Sequence, residues 1–265
     1  MMSHLRWIAC VVGLAVVGGA ASPALALDQK QQLREARGSY YNLPAHGFSR
    51  MQCQVTPNWD VVLPKDLEPA RRRGAIDRLN QLRFSVSVDA AGVTQVEHGD
   101  TGPTPTGGVA PGFARVNTGF DETISGFIGT WTAFMLTSPL PSADSDYVLA
   151  KDPAGYRLTY KDGDTTIATT LDRDFVIKTT AVGSSAFSST ITPTLRHETG
   201  GWVLAGYIGD YRPTAGPGAT HMVVSIDYQT VDGLRIPRLL KLDGDYDGQP
   251  VSSDLTFSAC RVTRR

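Results

Sequence analysis

Asp243-Gly244-Asp245-Tyr246-Asp247-Gly248, with Asp254 after it, comes nearest to chemistry of any stretch in the chain. Three alternating carboxylates, a glycine for a sharp turn and an acid at the twelfth position make the oxygen-ligand pattern of a calcium loop. The flanks argue the other way. Leu239 to Leu242 and Leu255-Thr256-Phe257 read as strands rather than helices, the closing acid is the short Asp, and Pro250 interrupts the pattern. An Asp- and Gly-rich hairpin turn accounts for the same residues, so no metal ligand is assigned. Other reactive types are scattered. Gly183-Ser184-Ser185 lacks the second glycine of a nucleophile elbow, and His197-Glu198 runs into a turn instead of along a helix. His46, His98, His197 and His221 have no partner at working spacing in the sequence. Arg71-Arg72-Arg73 would point three ways on a helix and so would not form one patch. No catalytic residue, metal or cofactor is named, and a non-enzymatic protein is expected.

The first residues read as a targeting segment. Arg6 gives a positive start, Trp7 to Gly19 an uncharged apolar core, and Ala24-Leu25-Ala26 a small-x-small cleavage site. A cleaved leader over 1–26 is expected, with the mature chain, 27–265, forming one domain that is periplasmic or secreted. Export leaves two cysteines, Cys53 and Cys260, in an oxidising compartment where pairing is expected; two buried free thiols are the alternative. The leader removes one base and no acid. The mature chain then carries 24 basic against 26 acidic residues, a net charge of −2. That balance excludes a basic nucleic-acid-binding face.

The elements that would position any site are mostly strands. From Tyr147 to Val262 the apolar residues alternate with polar ones. Met222, Val224, Ile226 and Tyr228 interleave with Val223, Ser225, Asp227 and Gln229. This period of two marks an antiparallel sheet with one face covered. Short Asp/Gly turns separate the strands, Asp232-Gly233 among them. Ahead of this meander stand a helix over 28–41, a strand over 48–56, and a helical region with Asp66 as cap and Ala75, Ile76, Leu79 and Leu82 as its stripe. A hairpin over 84–88 and 93–97 follows. A Gly/Pro/Thr loop fills 100–119. It is followed by the most apolar helix of the mature chain, over 121–136, whose wide stripe includes Ile124, Phe127, Trp131 and Phe134. That helix is the one expected to lie on the sheet.

Tyr228-Gln229-Thr230-Val231-Asp232-Gly233-Leu234-Arg235-Ile236-Pro237-Arg238 resembles the late hairpin of LolA-like envelope proteins, with its Y-x-x-x-D-G-L-x-x-P turn. The order of elements is similar too: leader, helix, long strands, internal helix, meander. The resemblance implies a mainly β fold with helices (α+β), an incompletely closed antiparallel half-barrel with helices packed in its concave face. It implies an apolar cavity between them that carries lipids or lipoprotein acyl chains.

The expectation is therefore an exported monomer that binds a lipid or an acylated protein, with peripheral membrane contact and no nucleic acid. Its cavity would be lined by Phe120, Ile124, Phe127, Trp131, Phe134, Met222, Ile226 and Tyr228. The alternative is a structural or protein-interaction module of the cell envelope with a packed core and no ligand.

Overall fold

A computed structural model describes residues 23–102 and 111–265. The leader's charged start and apolar core lie outside the described residues, as does most of the Gly/Pro/Thr loop. Helix α1 (Pro23–Gly38) runs through the expected cleavage site and packs Leu33 and Ala36 into the core. Strand β1 (Phe48–Pro57) follows, then the short α2 (Trp59–Val62), α3 (Pro69–Leu79), and the hairpin β2 (Leu82–Asp89) and β3 (Thr94–Asp100). The long α4 (Pro111–Met135) leads into a run of nine strands. These are β4 (Tyr147–Asp152), β5 (Gly155–Asp162), β6 (Thr165–Asp172), β7 (Ile177–Gly183), β8 (Phe187–Glu198), β9 (Gly201–Pro213), β10 (Thr220–Val231), β11 (Leu234–Tyr246) and β12 (Gln249–Arg264).

All twelve strands form one open antiparallel sheet in the order β3-β2-β1-β12-β11-β10-β9-β8-β7-β6-β5-β4. The meander returns, so the last strand pairs with the first, and α4 connects the two edge strands. Two Asp-Gly turns make this possible. Asp232 and Gly233 have φ of 49° and 79°, and Asp247 and Gly248 have 49° and 75°. Both central residues are left-handed, as the tight hairpin turn matching strand twist requires. The β11–β12 ladder runs from Leu239 to Tyr246 and stops before Pro237, which has no N–H to donate. There the Gln229 amide donates instead to the Pro237 and Phe257 carbonyls, both at 2.9 Å.

The acid-rich stretch is this second hairpin, not a helix-flanked loop. Asp243 accepts from the Ser252 hydroxyl at 2.7 Å, and Asp247 accepts from the Gly218 and Ala219 N–H groups. Among the described residues no group of three His, Cys, Asp or Glu side chains gathers as a metal site.

Cys53 and Cys260 are bonded. The pairing register of β1 with β12 slips between Gln52 and Gln54, so Cys53 faces two residues, and Ala259 takes a left-handed φ of 47°. Such a bulge turns a side chain that would otherwise point elsewhere, and here it brings Cys260 to Cys53. The bridge ties first strand to last, but these are neighbours inside the sheet. The free edges are β3 and β4, and the bridge does not join them.

Three boundaries differ from the sequence expectation. Helix α4 starts at Pro111, within the stretch read as loop. Asn117, Thr118 and Gly119 blur its periodicity, but Val116 and Phe120 pack against the core and extend the helix. Glu68, not Asp66, caps α3, accepting from the Ala70 and Arg71 N–H groups. Leu82 opens β2 instead of closing a helical stripe.

Candidate functional site

Helix α4 has two neighbouring faces of different character. One is large and apolar: Phe120, Ile124, Phe127, Ile128, Trp131, Phe134 and Met135 are all buried. The other carries Gly119, Thr123, Gly126 and Thr130, spaced so that they line one side of the helix. A side chain added at Gly119 or Gly126 would meet nothing within 4 Å. The two threonine hydroxyls turn back on the helix, donating to the Gly119 carbonyl at 2.7 Å and the Gly126 carbonyl at 3.2 Å. That local satisfaction leaves methyl groups facing outward.

Opposite this small-residue face stands the inner side of β8 to β12. Between them is a cavity of about 880 Å³, within the range of small-molecule sites. Ile191, Tyr207, Met222, Leu242 and Val251 line the sheet side, and the segment from Val61 to Lys65 after α2 forms a third wall. Two contacts hold that wall in place. The Trp59 and Phe120 rings meet edge to face at 5.0 Å, and the Asn58 N–H donates to the Asp254 carbonyl at 2.8 Å. Tyr207 joins the sheet to Thr130 of α4, and burial pushes its phenol above the ordinary value, partly offset by the Thr130 hydrogen bond. The rim is apolar and open: Tyr211, Tyr246 and Val251 are 38%, 52% and 37% exposed.

The structure divides the residues expected to line a cavity. Phe120, Phe127 and Met222 lie on its wall. Ile124, Trp131, Phe134 and Ile226 are buried in the core. Tyr228 packs against that core and donates its hydroxyl to the Leu204 carbonyl at 2.6 Å, with the Trp131 indole beside it. Phe127 reaches Phe257 of β12, ring centres 5.7 Å apart. Sequence reading overlooked Val61, Val62, Lys65, the glycine-threonine face of α4 and Ser253. The i, i+4, i+7, i+11 spacing of small residues beside an aromatic stripe was the available signal. Nothing local marked the segment after α2.

Two histidines have partners that sequence spacing did not show. His98 Nδ1 meets the Asp121 carboxylate and His221 Nδ1 that of Asp210, each at 2.8 Å. Among the described residues no helix is long and apolar enough to cross a membrane. Comparison with protein-family models, with curated proteins and with solved structures finds no match to this chain.

Proposed function

We propose that the chain is an exported, LolA-like, non-enzymatic carrier of an apolar ligand, a lipid or a lipoprotein acyl chain. In this reading the sheet is an incompletely closed half-barrel, and α4 lies in its concave face with the ligand beside it. The observation that carries the reading is the small-residue face of α4 standing across an 880 Å³ space from an apolar sheet wall. Gly119 and Gly126 hold that space open where larger helix residues would fill it. The resemblance of the Tyr228–Arg238 hairpin supports the family, and the Cys53–Cys260 bond suits an oxidising compartment.

The mechanism is burial. Each methylene taken from water contributes about 0.8 kcal/mol. Exposed Tyr211, Tyr246 and Val251 at the rim offer an apolar approach from a membrane surface.

Native mass spectrometry on protein purified from the exported fraction without detergent tests the proposal. The expected result is a bound mass, released on unfolding, that fragments as a lipid. An apo mass that also fails to take up added acyl chains would sink it. One observation favours the alternative of an envelope interaction module: β4 is a free sheet edge whose Val148 is 67% exposed.

A further inference from the structure

The cavity has one polar corner, where α2, α4 and β12 meet. The Asn58–Asp254 hydrogen bond sets the start of α2 against β12, and the Trp59–Phe120 contact sets it against α4. Three polar groups enter the cavity lining from these elements. Lys65 follows α2, Arg115 lies just over one helical turn before Phe120, and Ser253 stands beside Asp254 on β12.

Each of the three lacks a partner among the described residues. Ser253 is only 7% exposed, and its hydroxyl oxygen makes no hydrogen bond. A buried hydroxyl without a partner is costly, so it marks a place where an acceptor belongs. Lys65 and Arg115 form no ion pair among the described residues, although both lie within an otherwise apolar lining. Two acids also contribute to the wall. Asp210 is held by His221 at 2.8 Å. Glu122 sits two helical turns beyond Arg115, about 10 Å along the axis.

We infer that this corner receives the head of the ligand, and that the head is an anionic oxygen acid, a carboxylate or a phosphate. The inference rests on the apolar-carrier reading and narrows it to amphiphiles. The chain of the ligand lies along Gly119, Thr123 and Gly126. Its acid oxygens accept from Ser253 and are neutralised by Lys65 and Arg115, a charge-assisted arrangement about twice as strong as neutral hydrogen bonds.

The test is displacement of a neutral apolar dye, N-phenyl-1-naphthylamine, from the purified mature chain at neutral pH. Four probes of one chain length compete: dodecanoic acid, dodecyl phosphate, methyl dodecanoate and dodecanol. The acid or the phosphate should bind at least about tenfold tighter than the ester and alcohol, and the tighter of the two identifies the head group. A Lys65→Ala/Arg115→Ala double variant should bring the acidic probe down to the affinity of the ester, and Ser253→Ala should weaken it about threefold or more. Folding of each variant is read independently from its thermal transition. Equal affinity for all four probes would overturn the anionic-head inference while leaving the carrier reading in place. A preference for acid that survives the double variant would overturn the assignment of these residues. Failure of every probe and of the dye would remove the carrier reading itself, and this inference with it.

Discussion

At the Trp202 end of β9 the sheet and its helices interlock, while at the Tyr211 end of the same strand they stand apart. Near Trp202 the packing is tight. Gly201 approaches α1 so closely that an added Cβ would lie 2.4 Å from the Ser39 carbonyl. The Tyr40 hydroxyl donates to the Phe175 carbonyl and accepts from the Ile177 N–H. Arg196 and Arg235 converge on Glu198, and Trp131 fills the space below with no exposed surface. Near Tyr211 the facing half of α4 carries glycine and threonine, and a cavity remains. One sheet face thus serves two ends differently, and the difference lies in the volume of the helix residues opposite it. An interior packs like a solid, so missing side-chain volume that neighbours do not fill stays as space.

The largest expected effect comes from breaking the tight end. Trp131→Ala should cost about 3–5 kcal/mol in denaturant unfolding, through lost burial plus the cavity left behind. A loss below about 1 kcal/mol would mean that this end is no better packed than the other. Removing the Cys53–Cys260 bond by a double serine substitution should lower stability by about 2–5 kcal/mol, because a loop of most of the chain is freed in the unfolded state. The two strands it joins are already paired, so dye uptake at low temperature should persist. Loss of uptake in a folded double variant would tie the bridge to the open end.

Gly126→Leu should act in the opposite sense to Trp131→Ala. It replaces a poor helix former with a good one, a gain of up to about 1 kcal/mol. The new side chain projects into the cavity, so uptake of the neutral dye should fall sharply. A stable variant with unchanged uptake would show that the ligand lies elsewhere.

The smallest effects separate the ends by pH. At the tight end, burial pushes the Tyr40 and Tyr228 phenols well above their ordinary value of 10.0. Their folded values exceed the unfolded one, so their contribution is whole below about pH 10 and fades as pH rises beyond it. At the open end, the Arg78 hydrogen bond and then the Gly102 N–H pull the Asp100 carboxyl from 3.8 down to about 2. Its folded value is depressed, so its contribution is present above about pH 4 and disappears as pH falls toward 2. Hydrogen exchange should therefore show β2 and β3 loosening first in acid, and the Tyr40–Ile177 contact loosening first in alkali. The same order of opening at both extremes would contradict this.

Much of the architecture was legible because strands and turns carry local signals. The alternation around Met222 to Tyr228 placed these residues on the inner face, and Asp232-Gly233 and Asp247-Gly248 close hairpins with both residues left-handed. The candidate site was only partly legible. Phe120, Phe127 and Met222 reach the cavity, whereas Trp131 and Ile226, equally apolar and on the same elements, disappear into the core. A hydrophobic stripe reports that a face is covered, not whether what covers it touches it. The first two turns of α4 were missed for a related reason. Small polar residues there weaken the periodic signal, and the packing of Val116 and Phe120 extends the helix.

The sequence by itself determined the antiparallel strands, the inward side of each and the pairing expected of its two exported cysteines, because period, turn chemistry and compartment are properties of the chain. Only the tertiary structure decided that β1 lies beside β12, that a bulge at Ala259 brings Cys260 to Cys53, and that Lys65, Arg115 and Ser253 share one corner. Adjacency of distant strands and the space left between two faces depend on how whole elements meet, and no local pattern encodes the sum of their volumes.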